Sequence, residues 1–275
     1  MKRQKRMALV NDITGYGRCS IAVELPLISA LKIQGCVLPT AVLSVHTGFP
    51  TYYMDDYTER MPAYIDSWKQ NGLAFDGILT GFLGSARQID IVLDFVHAFK
   101  KKNTKVIVDP VMGDYGRLYP SYTEDMCRNM RRLLTVADVI TPNLTEACRL
   151  LDLPYPEQGQ VTMGQLAHMA EALVQMGPSQ LVMTGLHEED YLLNYVYETG
   201  KAPDIQRVKK IGSDRSGTGD VFAAITAGQL IQGKSLPDAV RSAADFVSKA
   251  MSYTEALRLP HNCGLAFEEF LTELQ

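Results

Sequence analysis

The segment that most constrains this chain is Lys105–Val111 (KVIVDPV), a short run that is almost wholly apolar and β-favouring. A strand without polar alternation is buried on both faces, and that happens where helices cover a parallel sheet on both sides. Similar runs recur at Met7–Asn11, Val37–Val45, Gly77–Leu83, Asp138–Thr141 and Gln180–Thr184. Between them, apolar residues fall at helical spacing over Cys19–Gln34, Arg60–Gln70, Ala86–Lys101, Tyr122–Leu134, Leu144–Leu151 and Met163–Met176. Tyr191–Glu198 and Ile205–Ile211 read as an antiparallel pair around Thr199-Gly200. Thr218–Gln232, Leu236–Tyr253 and Leu265–Leu274 read as three closing helices. The alternation predicts an α/β fold, a mostly parallel central sheet with helices on both faces and right-handed crossovers. Pro39 suits a strand start or an edge. With 275 residues, 46% of them hydrophobic, one large core is attainable. A single domain over 1–275, with a small lid or none, is expected.

Charge and cysteine usage exclude several classes. Lys+Arg is 27 and Asp+Glu 31, so the net charge is 27 − 31 = −4. A nucleic-acid partner would select a basic face instead. No apolar stretch approaches the ~20 residues of a spanning helix, and the basic start MKRQKR is followed by no signal-peptide core. The five cysteines are scattered and form no CxxC pair, so neither a disulfide framework nor a zinc site is indicated. A cytoplasmic protein without nucleic-acid or membrane partners is expected.

In open α/β sheets, ligands sit at the carboxyl ends of strands, so the polar residues there carry the chemistry. Gly217-Thr218-Gly219-Asp220 opens an apolar helix. Its glycines admit close backbone approach, its first N–H groups lack helical partners, and the dipole is positive there, so an anion can bind. Asp220 would lie beside that anion, where a carboxylate can take a proton from an alcohol. A plain glycine turn with an acidic helix start fits the same residues. A P-loop fails because Thr218 stands where Lys is required, and a dinucleotide fingerprint fails because Ser20 replaces its third glycine. Asp109 ends the KVIVDPV strand, where a carboxylate can hold Mg²⁺ through water or simply start a turn; Asp114 follows it. The stretch from Gly113 to Gly116 is a candidate flap. Asn143 and Glu146 have capping-box spacing, compatible with metal or phosphate binding if Glu146 also projects into a cleft. Asp12 and Thr47 follow the first two strands as candidate pocket walls. His46 reads as structural rather than as a base, and Phe49, Tyr52 and Tyr53 are either ring-stacking surface or core.

The set DPVMGDYG, TPNLTEA and GTGDVFAA, in this order and separation, resembles the ribokinase superfamily. SVHTGF and TGFLGSA are similar to its pyridoxal/pyridoxamine (vitamin B6) kinase branch, and the matching motifs run from Asp12 to about Ala224. The resemblance implies a ribokinase-like fold and ATP-dependent phosphorylation of the 5′-hydroxymethyl group of a B6 vitamer. It implies Asp220 as catalytic base, with Gly217, Thr218 and Gly219 as the anion hole. It places Asp109, Asn143, Glu146 and Thr184 on the nucleotide side, with Asp109 and Glu146 holding Mg²⁺ through water. It places Asp12, Thr47 and Phe82 on the acceptor side, and it implies a homodimer and activation by a monovalent cation such as K⁺. Many pyridoxal kinases carry Ser where Asp12 stands, an Asp there also occurs in hydroxymethylpyrimidine kinases, and Phe82 sits where some relatives have Tyr. The alternative acceptor is therefore the hydroxymethylpyrimidine of thiamine synthesis. A non-catalytic vitamin-binding protein on the same fold is disfavoured by the presence of Asp220.

Overall fold

The computed structural model describes residues 3–275. Its strands are β1 (Arg6–Tyr16), β2 (Gln34–Val45), β3 (Met54–Asp56), β4 (Gly77–Thr80), β5 (Lys105–Val108), β6 (Gly113–Asp114), β7 (Arg117–Leu118), β8 (Val139–Ile140), β9 (Gln180–Glu188), β10 (Tyr191–Glu198) and β11 (Asp204–Lys209). The helices are α1 (Ile21–Ala30), α2 (Met61–Gln70), α3 (Ala86–Phe99), α4 (Glu124–Leu134), α5 (Leu144–Leu151), α6 (Met163–Val174), α7 (Thr218–Gln232) and α8 (Leu236–Ala256). Nine strands form one sheet in the order β11-β10-β9-β8-β5-β4-β1-β2-β3. The pairs from β2 through β1, β4, β5 and β8 to β9 are parallel; β3, β10 and β11 add antiparallel edges.

The twofold period of a strand sorts its side chains to opposite faces. Met7, Leu9, Leu79, Ile107, Val139 and Val182 enter a core closed by α1, α7 and α8. Ala8, Val10, Ile78, Val106, Val108 and Ile140 enter a second core under α2 to α6. β4 is buried at all four positions, as expected of a strand covered twice. α7 is apolar nearly all round, with Val221 through Ile231 buried, because it lies between the sheet and α8. Among the described residues no helix is long and apolar enough to cross a membrane.

Several segments differ from the sequence expectation. β1 continues past a bulge at Asn11/Ile13 to Tyr16. α1 is shorter than Cys19–Gln34, because Lys32 adopts φ +59 in the turn before β2. β3 pairs with Ala41, Val42 and Leu43, and Pro39 lies where β3 does not reach. The segment read as a helix over Leu265–Leu274 is 3₁₀ only, from Glu268 to Leu274. Leu265 and Phe267 are drawn into the α8 core, and Ala266 donates its N–H to Thr254 Oγ1 (2.8 Å) instead of to a helical carbonyl. The candidate flap is the turn of a β6–β7 hairpin whose central residues, Tyr115 (φ +49) and Gly116 (φ +75), give the twist that suits a two-residue connection.

Candidate active site

The site begins at the amino end of α7. Gly217 is its N-cap, at φ +78, and a Cβ there would stand 1.8 Å from the Arg18 carbonyl oxygen, so only glycine lets this helix approach the β1–α1 turn. No side chain caps the helix. Thr218 donates its N–H to Arg215 O at 3.4 Å, so of the three expected anion-hole amides this one is already engaged. Arg215 anchors the preceding loop, donating to Glu255 Oε1 (2.8 Å) and to the carbonyls of Leu259 (2.9 Å) and Pro260 (3.1 Å). Asp220, on the first turn, accepts the Ser20 N–H on Oδ2 at 2.8 Å.

A second group assembles at the ends of β5 and β8. Asp109 leaves β5 and is 8% exposed. Asn143 and Glu146 form the capping box expected of their spacing: Glu146 donates its N–H to Asn143 Oδ1 (3.0 Å), and Glu146 Oε2 accepts the Asn143 N–H (2.8 Å). Glu146 Oε1 accepts from Met112 N–H (3.1 Å), and Asn143 Nδ2 donates to Gly113 O (2.8 Å), tying the β6–β7 hairpin to α5. Thr184 bridges to Asn143 and donates its N–H to Pro142 O (2.9 Å).

These two groups face one cavity of about 500 Å³. Asp109, Asn143, Glu146, Thr184, Gly217, Thr218, Gly219 and Asp220 all line it. Asp12, Thr47 and Phe82 do not. Asp12 is buried behind the α7 start, where Asp12 Oδ1 accepts from Ser20 Oγ (2.6 Å) and Oδ2 from Thr14 Oγ1 (2.7 Å). Phe82 donates its N–H to Asn11 Oδ1 (2.8 Å) and packs edge-on against Tyr122. Thr47 lies in the loop after β2, beside His46, whose ring reaches Asn262 O (2.9 Å) and accepts from Gly48 N–H (3.1 Å), the structural role expected for it. The motifs did not reveal Asn11, Ser20, Glu24 or Arg215, which act through contacts between distant segments. They also missed the apolar end of the cavity between Leu192 and Val208 of the sheet and Phe222, Val247 and Met251 of the helices.

The electrostatics are set by crowded carboxyls. Burial, reinforced by the charge of Asp220 and opposed by the Thr141 hydroxyl, pushes Asp109 up to about 8. Glu146 is raised well above the ordinary range by burial and by Asp109, against the Asn143 and Met112 N–H groups. Burial lifts Asp220 to about 6, with the Ser20 N–H pulling the other way and the charge of Asp12 adding to the rise. Glu24 beneath them is 1% exposed and raised by burial and by Asp220; its Oε2 has no hydrogen-bond partner. Among the described residues no group of three or more His, Cys, Asp and Glu side chains is placed to ligate a metal directly. Two buried carboxyls at the cavity floor, both short of positive charge, fit a hydrated divalent cation that keeps most of its waters.

The profile of one protein family, described as phosphomethylpyrimidine kinase, matches residues 21–265. A crystal structure from Bacteroides thetaiotaomicron, provisionally named a phosphomethylpyrimidine kinase and described as a form with pyridoxal, is 38% identical. It superposes with a TM-score of 0.95 over 99% of this chain and 96% of that one. The pyridoxal kinase of Arabidopsis thaliana is 30% identical over 226 residues, 78% of this chain and 68% of that protein. The chloroplastic thiamine biosynthetic bifunctional enzyme TH1 of the same plant is 30% identical over 198 residues; the match covers 71% of this chain but 37% of that longer protein.

Proposed function

The chain belongs to the phosphomethylpyrimidine kinase family, within the ribokinase-like fold its motifs resemble, and on that premise we propose that it transfers the γ-phosphoryl group of ATP to the hydroxymethyl group of pyridoxal and related B6 vitamers. The observation that carries this reading is the placement of the Asp220 carboxyl beside the uncapped start of α7, in the same cavity as Asp109 and Glu146. A single α/β unit suffices, since every residue invoked stands at one edge of one sheet.

Phosphoryl-transfer transition states are loose and carry their charge on the transferred oxygens, so positioning and electrostatics supply most of the catalysis. Asp220 takes the hydroxyl proton as the new O–P bond forms and the bond to the departing ADP breaks. With its pKa near 6 it is mostly ionised at neutral pH and matched to that task. The start of α7 lies where the migrating phosphoryl group needs donors. Asp109 and Glu146 are the residues that would hold Mg²⁺ through water, and the ion would supply positive charge against that of the phosphates. The apolar end of the cavity takes the nucleobase. The acceptor ring then lies on the other side of Asp220, toward Asp12 at the bulge of β1 and Thr47 and Phe82 just past β2 and β4.

The description of the family and the aspartate at position 12 favour a second acceptor, hydroxymethylpyrimidine. A coupled ADP-release assay with pyridoxal, pyridoxamine, pyridoxine and hydroxymethylpyrimidine separates the two by kcat/KM. A B6 vitamer is expected to lead, and a tenfold preference for the pyrimidine would overturn the vitamer assignment. Asp220→Asn is expected to bind both substrates while losing 10²–10⁴-fold in kcat. Near-normal turnover in that variant would remove the base assignment.

A further inference from the structure

Ser20, on the turn that enters α1, has φ 53 and ψ −138. Glycine adopts that conformation freely; a residue with a Cβ does so against steric resistance. A serine before a helix ordinarily lends its hydroxyl to the first turn. Ser20 makes no such cap. Its hydroxyl donates instead to Asp12 Oδ1 at 2.6 Å, and its N–H donates to Asp220 Oδ2 at 2.8 Å. It is 7% exposed. Strained backbone persists only where its surroundings over-determine it, and such residues cluster at functional sites.

We propose that Ser20 is a positioning residue, whose strained backbone aims its N–H at the Asp220 carboxylate and whose hydroxyl ties that geometry to Asp12 on the acceptor side. The inference rests on the reading of Asp220 as base and adds a second component to it. A carboxylate on the first turn of a helix can swing back to its own free amides. The Ser20 N–H holds Oδ2, with the Asn11 side chain also lowering the carboxyl's pKa, and the carboxylate thus fixed meets the acceptor hydroxyl. The Asp12 tie keeps the turn from relaxing to an ordinary helix entry. Misplacement of a reacting group by about 1 Å can cost 10²-fold in rate, so a hydrogen bond that fixes this carboxylate acts on kcat.

The test compares Ser20→Gly, Ser20→Ala and Ser20→Asn in the full chain. Glycine removes the steric conflict and the hydroxyl but keeps the N–H. If Ser20 were only structural, that variant would be at least as stable and fully active. The positioning role predicts an unchanged or higher melting temperature, a kcat at least tenfold lower, and a KM for ATP within twofold of the parent. Alanine, which also lacks the hydroxyl, should lose kcat with the same unchanged KM. Asparagine restores a donor toward Asp12, so it should recover part of the loss. Wild-type kcat in both the glycine and alanine variants would overturn the proposal, as would a KM for ATP that rises in step with the loss. Asp220→Asn is assayed alongside. If it is inactive while the Ser20 variants are normal, the Ser20 role alone fails; if it turns over normally, both readings fail.

Discussion

Gly217→Ala probes the junction on which the site depends. At φ +78 an alanine costs about 1–2 kcal/mol over glycine from its backbone alone. Its Cβ would also stand 1.8 Å from Arg18 O, where side chains essentially never come within 3.0 Å, so the two segments must part by at least 3.0 − 1.8 = 1.2 Å. Forcing that shift in packed surroundings costs a further ~1–3 kcal/mol. A combined loss of roughly 3 kcal/mol lowers Tm by about 6–12 °C in a protein of this size. The same displacement acts on chemistry. It carries the start of α7 away from the β1–α1 turn, and the Ser20–Asp220 bond of 2.8 Å stretches toward 2.8 + 1.2 = 4.0 Å, beyond hydrogen-bonding range. A shift of that size predicts about a 10²-fold loss of kcat, or about 2.7 kcal/mol in the barrier. Thermal melts and the coupled ADP assay measure the two effects separately. Gly219→Ala is the internal control for stability: nothing lies within 4 Å of its Cβ, so it should melt no lower than the parent. Were Gly217→Ala to melt within 2 °C of the parent and keep half its kcat, the claim that this contact sets the site would be wrong.

Two further outcomes are expected. Burial holds Asp109 at about 8 against an ordinary 3.8, and Asp220 at about 6, so the folded chain retains protons that the unfolded chain releases. This stability is fully present below about pH 4 and is lost as the pH rises through 6 to 8. The ligand-free protein should melt higher at pH 5 than at pH 8, with a smaller difference in Asp109→Asn; an equal difference in that variant would contradict the shift. Asn143→Ala removes the cap of α5 and the tie to Gly113 O. It should cost about 1 kcal/mol of stability and raise the KM for ATP more than it lowers kcat, which melts and initial rates would check.

Much of this arrangement was legible because neighbouring residues encode it. The apolar runs located β1, β4, β5 and β9, since a strand buried on both faces needs no distant partner to be recognised. The bounds of α5 and α7 came out as expected, because Asn143 with Glu146 and Gly217 before Thr218 are local start signals. The nucleotide-side residues met in one cavity because parallel strands bring their carboxyl ends to one edge. What stayed hidden depends on contacts between remote segments. β3 exists only by pairing with β2, and the last segment is 3₁₀ because α8 claims its apolar residues. Ser20 looked like a failed glycine of a dinucleotide motif; its hydrogen bond to Asp220 spans 200 residues of sequence. Asp12 looked like a pocket wall, and the structure turns it toward two hydroxyls.

The crowding of acids beneath the α7 start constrains what the cavity accepts. Asp12, Asp109 and Asp220 raise Glu24, Asp12 raises Asp220, Asp220 raises Asp109, and Asp109 raises Glu146. For stability alone, apolar residues of similar size would serve better, since each buried carboxyl carries a desolvation cost. Among the described residues no lysine or arginine lowers Asp109 or Asp220: Arg215, which lines the same cavity, is committed to Glu255 and two carbonyls, and Lys209 and Lys210 line it from the end of β11. In the ligand-free state the balance is met by retained protons, which are lost as the pH rises through 6 to 8. A bare triphosphate would bring more negative charge to Asp109 and Glu146, which Lys209 and Lys210 would offset only in part. A nucleotide that arrives with a divalent cation supplies the missing positive charge where Asp109 and Glu146 stand and leaves its terminal phosphoryl group for the start of α7. On this reading the carboxyls would favour a metal-bound nucleotide as the substrate, since among the described residues no lysine or arginine lowers Asp109, Glu146 or Asp220.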